Sequence, residues 1–200
     1  MIYLYGAGGH AKVVIDILES SGEIVAGIFD DDSAKTIWKF PRLEFPGPFS
    51  LSADKLILSI GNNLIRKKIA MQLDVDYHTA IHPSAIISAY AYIDTGSVLM
   101  GGVLINADSK IGRHCIINSH ASIDHDCVLQ DFTHISPNAT LCGDVFVGEC
   151  THIGAGAIII PGKKIGPNTI IGAGAVVVSD IPGNVIAVGN PARIIKENND

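Results

Sequence analysis

Two hundred residues at 21.1 kDa make one large domain or two small ones. Hydrophobic residues are 48%, aromatics 6% and charged residues 17%, the last below the ~25% of an ordinary globular chain, which excludes disorder. No stretch approaches ~20 uninterrupted apolar residues and no basic-then-apolar leader opens the chain, so it reads as an unprocessed, cytoplasmic protein without a membrane span. Net charge is −6 without a basic stripe in either half, which argues against a nucleic-acid partner. The four cysteines (Cys115, Cys127, Cys142, Cys150) contain no C-x-x-C pair and read as neither disulfides nor a zinc knot.

In chain order, Met1 to Tyr5 reads as a strand, Gly6-Ala7-Gly8-Gly9-His10-Ala11 as a turn, and Lys12 to Ser21 as an amphipathic helix. A second strand, Glu23 to Phe29, ends in Asp30-Asp31-Asp32. After a connection containing Pro41, Pro46 and Pro48, Lys55 to Ile60 makes a third strand, and Gly61-Asn62-Asn63 opens a helix to about Leu73. This is a βαβαβ half of a doubly wound sheet. The first turn satisfies G-x-G-x-x-G/A, with an acidic residue 24 positions on. Amides at a helix N-terminus hold a phosphate, and a carboxylate ending the second strand reads a base or ribose. A nucleotide-sugar meets both demands within half of such a fold.

From Ile81 every sixth residue is Ile, Leu or Val, through seventeen positions ending at Val177. Four residues after each comes a small or inward-type residue, from Ala85 to Ala157, failing at Lys163 and Ile181. A period of six fits neither a helix nor an alternating strand, but it fits a triangular prism of eighteen-residue coils. The aliphatic residue points inward, and glycine often follows it (Gly112, Gly148, Gly154, Gly166, Gly172), where the chain is expected to bend. The expected architecture is therefore an α/β half-Rossmann domain over residues 1–80 and a left-handed parallel β-helix over 81–200. Proteins with such hexapeptide repeats are usually trimers.

Six of the eight histidines lie in the repeat. With the aliphatic position as slot one, His125 and Asp126 take slots three and four, facing solvent or a neighbouring subunit. Eighteen residues on, Gly143 sits over His125, about 4.8 Å away along the ladder. His134, in slot six, lies half a coil round the prism, so His125 and His134 converge only in a groove between two protomers. A surface histidine taken alone is a solvated side chain.

Together, the string I-G-N-N-L-I-R-K-K from Ile60, the opening G-A-G-G-H-A, the His125–Asp126 pair followed by His134, and the ending Gly189-Asn190-Pro191-Ala192-Arg193 resemble one family. It is the bacterial acetyltransferases that N-acetylate nucleotide-linked amino-dideoxy sugars, the bacillosamine-type enzymes, with sialic acid O-acetyltransferases as relatives of similar layout. The resemblance implies an acetyl-CoA-dependent enzyme of surface glycan biosynthesis, needing no metal, in which His125 is the general base. Asp126 stands where family members usually carry Glu. His134 and the Gly143 amide match contacts to the acetyl end of coenzyme A, and Ala155, Ala173 and Gly174 match the course of the pantetheine arm. Asn118 matches a polar contact near the reacting amine. Gly8, Gly9, His10, Asp30, Asp31 and Gly61 match the nucleotide-sugar site.

The residues themselves agree with acyl transfer, which needs a base near neutral pKa, an oxyanion donor and a groove for the thioester carrier. Direct transfer in a ternary complex is expected, because Cys127 occupies an inward slot and is a poor nucleophile. Three alternatives stay open. One is transfer to a sugar hydroxyl. A second is a zinc enzyme of the β-helical carbonic anhydrase kind, suggested by the spacing of His120 and His125 with His82 upstream. The third is a non-enzymatic nucleotide-sugar sensor.

Overall fold

The computed structural model describes residues 1–32, 34–35, 37–40, 42–45, 47 and 54–199. Pro41, Pro46 and Pro48 lie outside the described residues. The N-terminal region is a parallel sheet of β1 (Ile2–Tyr5), β2 (Val25–Phe29), β3 (Arg42–Leu43) and β4 (Lys55–Leu58), ordered β3-β2-β1-β4. Helix α1 (Gly9–Ser20) crosses from β1 to β2, and α2 (Asn63–Gln72) follows β4. The sequence reading placed the start of α1 at Lys12. The helix begins at Gly9 because Gly8 is its N-cap in an extended conformation, so His10 and Ala11 belong to the first turn. Strand β3 had no sequence signal, being only two residues long.

Seventeen two-residue strands follow, from β5 (Ala80–Ile81) to β21 (Val176–Val177), one every six residues. Each pairs in parallel with the strand eighteen residues away, as His134–Ile135 does with Ile116–Ile117 and His152–Ile153. Three sheets form the faces of a prism of about six turns. The first face carries Val98, Ile116, His134, His152 and Ile170 outward and is extended by β22 (Val185–Val188) and β23 (Arg193–Glu197). The second carries Leu104, Ser122, Thr140, Ile158 and Val176 outward, and the third Tyr92, Lys110, Val128, Phe146 and Lys164.

Inside the prism, the aliphatic positions from Leu99 to Val177 are buried to 2% exposure or less, and so are the small residues from Ser97 to Ala157. Cys115 and Cys127 take their places among them. At about 25 cal/mol per Å² of apolar surface removed from water, this column of branched side chains is the main stabilising term of the solenoid.

The corners correct one expectation. The glycines after the aliphatic position are not where the chain bends. The left-handed residue falls in slot four, occupied by Asp108, Asp126, Asn138, Asp144 and Asn168 among others, with φ between 50° and 61° in these five. Asn and Asp tolerate that conformation best after glycine. The slot-two glycines answer to space instead. A Cβ on Gly112 would sit 2.6 Å from Asp131 Oδ1, and one on Gly154 2.5 Å from the Ile171 carbonyl oxygen of the next coil.

The N-terminal region docks on the first face and on the corner that precedes it. Val98, Met100 and Ile116 join Leu4, Ala11, Val14, Ile15 and Leu18 in one buried cluster. Arg66 of α2 fastens the junction with 1% of its surface exposed. Its Nε donates to the His114 carbonyl (2.8 Å), Nη1 to that of Ile60 (2.9 Å), and Nη2 to that of Phe132 (3.0 Å) and to Asn63 Oδ1 (2.8 Å). Every acceptor is neutral, and burial pulls the guanidinium down to about 10. Asn63 Nδ2 adds a bond to the Cys150 carbonyl (3.0 Å), and Lys67 pairs with Glu149 (2.6 Å).

Candidate active site

The N-terminal site lies at the carboxyl ends of β1, β2 and β4, beside the point where the strand order reverses. A cavity of about 550 Å³ opens there, and its lining includes all six residues singled out for a nucleotide-sugar: Gly8, Gly9, His10, Asp30, Asp31 and Gly61. At Gly8, Gly9 and Gly61 a Cβ would meet nothing within 4 Å among the described residues beyond its chain neighbours and its own helix, so packing by those residues does not demand glycine here. Space for a group lying against the backbone is the remaining steric reason. Gly6 is different: its φ of 108° and the nearby Ser59 backbone require glycine for the turn itself.

Asp30 is already engaged, since Oδ2 accepts from the Ala7 amide (2.6 Å) and Oδ1 from the Asp32 amide (2.8 Å). Burial raises its carboxyl, but these amides and Lys35 outweigh that and hold it below the usual carboxylate range. Its first task is to brace the glycine-rich turn. Asp31 accepts from the Tyr5 hydroxyl (2.7 Å) and is exposed. Sequence reasoning missed Tyr5, Lys35 and Ser59 as lining residues. Tyr5 was accessible to it, because residues ending the first strand of such a sheet face the crevice.

His10 borders the cavity with its Nε2 buried and without a partner among the described residues, and burial followed by the Arg66 charge takes its pKa down to about 4. His134 lies on the prism face beneath. Its ring stacks on His152 at 4.6 Å between centroids, and its Nε2 is 3.2 Å from Asn118 Nδ2. Burial, then the His152, Arg66 and His10 neighbours, depress it to about 3, with the Gly61 backbone opposing. His152 is lowered too, chiefly by burial, and lies 2.7 Å from Ser136 Oγ. The covered face is therefore a layer of neutral imidazoles. Asn118 joins His134 in it and does not line the cavity described above.

His125 stands at the corner between the second and third faces, opposite the first face, which the N-terminal region covers. Its side chain is 59% exposed and Asp126 57%, with Asp126 Oδ2 at 2.7 Å from Nδ1. Asp126 is left-handed at φ 60°, and even with its shorter side chain it reaches the ring. The Asp126 hydrogen bond, then the Asp124 charge, raise the imidazole pKa above its ordinary value. Nε2 is thus the nitrogen left for chemistry. Gly143 packs over this ring, and a Cβ there would lie 2.7 Å from Nε2. The Asp144 amide bonds the His125 carbonyl (2.9 Å), whereas the Gly143 N–H has no acceptor among the described residues.

Ala155, Ala173 and Gly174 are exposed, one coil apart on the corner between the first and second faces, with the Gly174 amide bonded to the Ala155 carbonyl (2.8 Å). One chain therefore divides the expected site. The corner with His125, Asp126 and Gly143 is separate from the face with His134 and Asn118, and from the small-residue corner. His120 also stands away from His125, near Gly102 on the corner shared with His82, so the zinc spacing gathers no shared site within one chain.

The PglD N-terminal domain family matches residues 1–73. The UDP-N-acetylbacillosamine N-acetyltransferase of Bacillus subtilis is 42% identical over 110 residues, covering 50% of this chain and 50% of that protein. The GDP-perosamine N-acetyltransferase of Escherichia coli O157:H7 is 28% identical over 156 residues, covering 71% and 70%. Against the first of these the matched segment spans half the relative's length. Among solved structures, a histidine-to-asparagine mutant of perosamine N-acetyltransferase from Caulobacter crescentus, in complex with CoA and GDP-perosamine, superposes with a TM-score of 0.92 at 40% identity, covering 98% of this chain and 97% of that one. The acetyltransferase domain of PglB from Neisseria gonorrhoeae, in complex with acetyl coenzyme A, gives 0.89 at 35%, covering 97% and 98%. The fold and these relatives define a β-helical acyltransferase carrying an N-terminal α/β region. Within that class the chain belongs to the nucleotide-amino-sugar N-acetyltransferases of the bacillosamine type, whose acyl donor is acetyl-CoA.

Proposed function

We propose that this chain transfers the acetyl group of acetyl-CoA to the amine of a nucleotide-linked 4-amino-4,6-dideoxy sugar, in a homotrimer whose sites lie between protomers. Residues 1–80 form the nucleotide-sugar unit and residues 81–200 the acetyltransferase unit. The sugar nucleotide enters the cavity of one protomer, with phosphate at the amides after Gly8 and the amine directed toward Asn118. The neighbouring protomer brings His125. The amine lone pair attacks the thioester carbonyl and the new C–N bond forms, while the Gly143 N–H receives the oxyanion. His125 Nε2 takes the proton from nitrogen, the C–S bond breaks, and the leaving thiolate is protonated by the imidazolium. Asp126 stabilises that imidazolium. His134 and the strip of Ala155, Ala173 and Gly174 flank coenzyme A. The setting is surface glycan biosynthesis in the cytoplasm.

One observation carries the two-protomer reading: the N-terminal cavity sits over the first face of the prism, and His125 sits at the corner opposite that face. Sequence and structure favour N- over O-transfer only through the relatives, so the test separates them. Nucleotide-linked 4-amino-4,6-dideoxy sugars carrying UDP, dTDP or GDP are incubated with acetyl-CoA, and thiol release is followed. Wild type turns over at least one of them and H125A falls by about 10²–10⁴-fold. Silence across the panel, or an undiminished H125A, overturns the reading.

A further inference from the structure

Slot two of the repeat, one residue past the inward aliphatic, repeatedly braces the corner that follows it. At Asn118 the side-chain Oδ1 accepts the Ser119 amide (2.8 Å), and at Asp94 the Oδ1 accepts the Thr95 amide (2.7 Å). Asp124 does the same for the amide of His125 (2.8 Å) and also accepts from Asn106 Nδ2 of the preceding coil (2.8 Å). Asn118 demonstrates that a neutral amide suffices to brace a corner. The negative charge at 124 is therefore surplus to the fold, and it stands against the one exposed histidine of this corner.

We propose that Asp124 is a positioning residue for His125, its Oδ1 fixing the backbone that presents the ring and its charge favouring the imidazolium formed during transfer. This rests on His125 being the base. Three carboxylates bear on the ring in this chain: Asp126 bonds Nδ1, Asp124 precedes it, and Asp144 lies one coil on. Asn106 sets the geometry of the second of these, since its bond to Oδ1 holds the Asp124 carboxylate against the His125 amide. Burial opposes the imidazolium, and the carboxylates outweigh it. Asp124 itself is held below the usual carboxylate range, first by Asn106 and then by the His125 amide, so it stays ionised wherever the imidazole titrates.

The test compares D124N with D124A. D124N keeps an oxygen acceptor for the His125 amide and removes only the charge. Its kcat/KM profile is expected to keep its shape with the acidic limb moved to lower pH, and kcat to fall less than in D124A. D124A loses charge and brace together, and kcat falls about tenfold with KM for both substrates nearly unchanged. Thermal unfolding of D124N, compared with wild type, confirms that the coil is intact. An acidic limb that stays in place in D124N, with D124A as active as wild type, overturns the proposal. If H125A itself retains full activity, the reading of His125 fails first, and the D124N profile then has no limb to move; the two failures are distinguishable.

Discussion

The chain holds two histidine-bearing regions built from the same six-residue repeat, and the contrast lies in what covers them. On the first face, His134 and His152 are roofed by the N-terminal region, stacked at 4.6 Å and held neutral by burial. At the opposite corner His125 stands in solvent among carboxylates and its basicity is raised. The repeat determines only that each side chain points outward. Whether an outward imidazole becomes a neutral packing element or a base depends on the neighbour it meets.

Three tests sharpen that contrast. The largest effect is expected at the roof itself. R66M leaves the carbonyls of His114, Ile60 and Phe132 without their donor in a buried junction, and urea unfolding should report a loss of about 3 kcal/mol. K67A breaks a partly exposed ion pair and should cost less than about 1 kcal/mol. Next comes G143A, whose Cβ would displace the His125 ring without straining the backbone. kcat should fall about tenfold to a hundredfold while unfolding is nearly unaffected. The third test concerns acid stability. His10, His114 and His134 have folded pKa values of about 4, 4 and 3, below the unfolded 6.5, so the unfolded chain binds more protons between those limits. Stability is full above about pH 6.5 and is lost as pH falls toward 4. H134Q should remove about 1–2 kcal/mol of the loss between pH 7 and pH 5. H125Q should remove none of it, because a raised pKa acts with the opposite sign.

Much of this was legible in the sequence, for particular reasons. The period of six gave the prism, its inward residues and the eighteen-residue register that sets Gly143 on His125, because one inward aliphatic per six residues has no helical or simple strand solution. The turn after β1 and the acidic end of β2 located the cavity through the ordinary chemistry of phosphate at a helix start. The slot-two glycines were misread because spacing cannot distinguish a glycine needed for a positive φ from one needed for close approach. The Asp and Asn residues of slot four were the better signal of the bend. The roofing of His134 was invisible to a single-residue reading, since docking of one region on another depends on surfaces distant in sequence. Apolar outward residues at Val98, Met100 and Ile116 were its trace. Arg66 lay in a quoted motif, yet only the fold reveals that it clasps carbonyls from two coils.

The central claim is that one protomer supplies the cavity and another supplies His125. It is tested most directly by mixing two inactive variants. H125A keeps the cavity, and G9D, whose side chain has open space in the protein, places a negative charge where the phosphate enters. Differently tagged copies are co-expressed and oligomers carrying both tags are isolated. In a trimer carrying both variants, about one site in three pairs an intact cavity with an intact histidine, so roughly a third of wild-type acetyl transfer should return. Mixed oligomers as inactive as either variant alone would mean that cavity and base belong to the same chain.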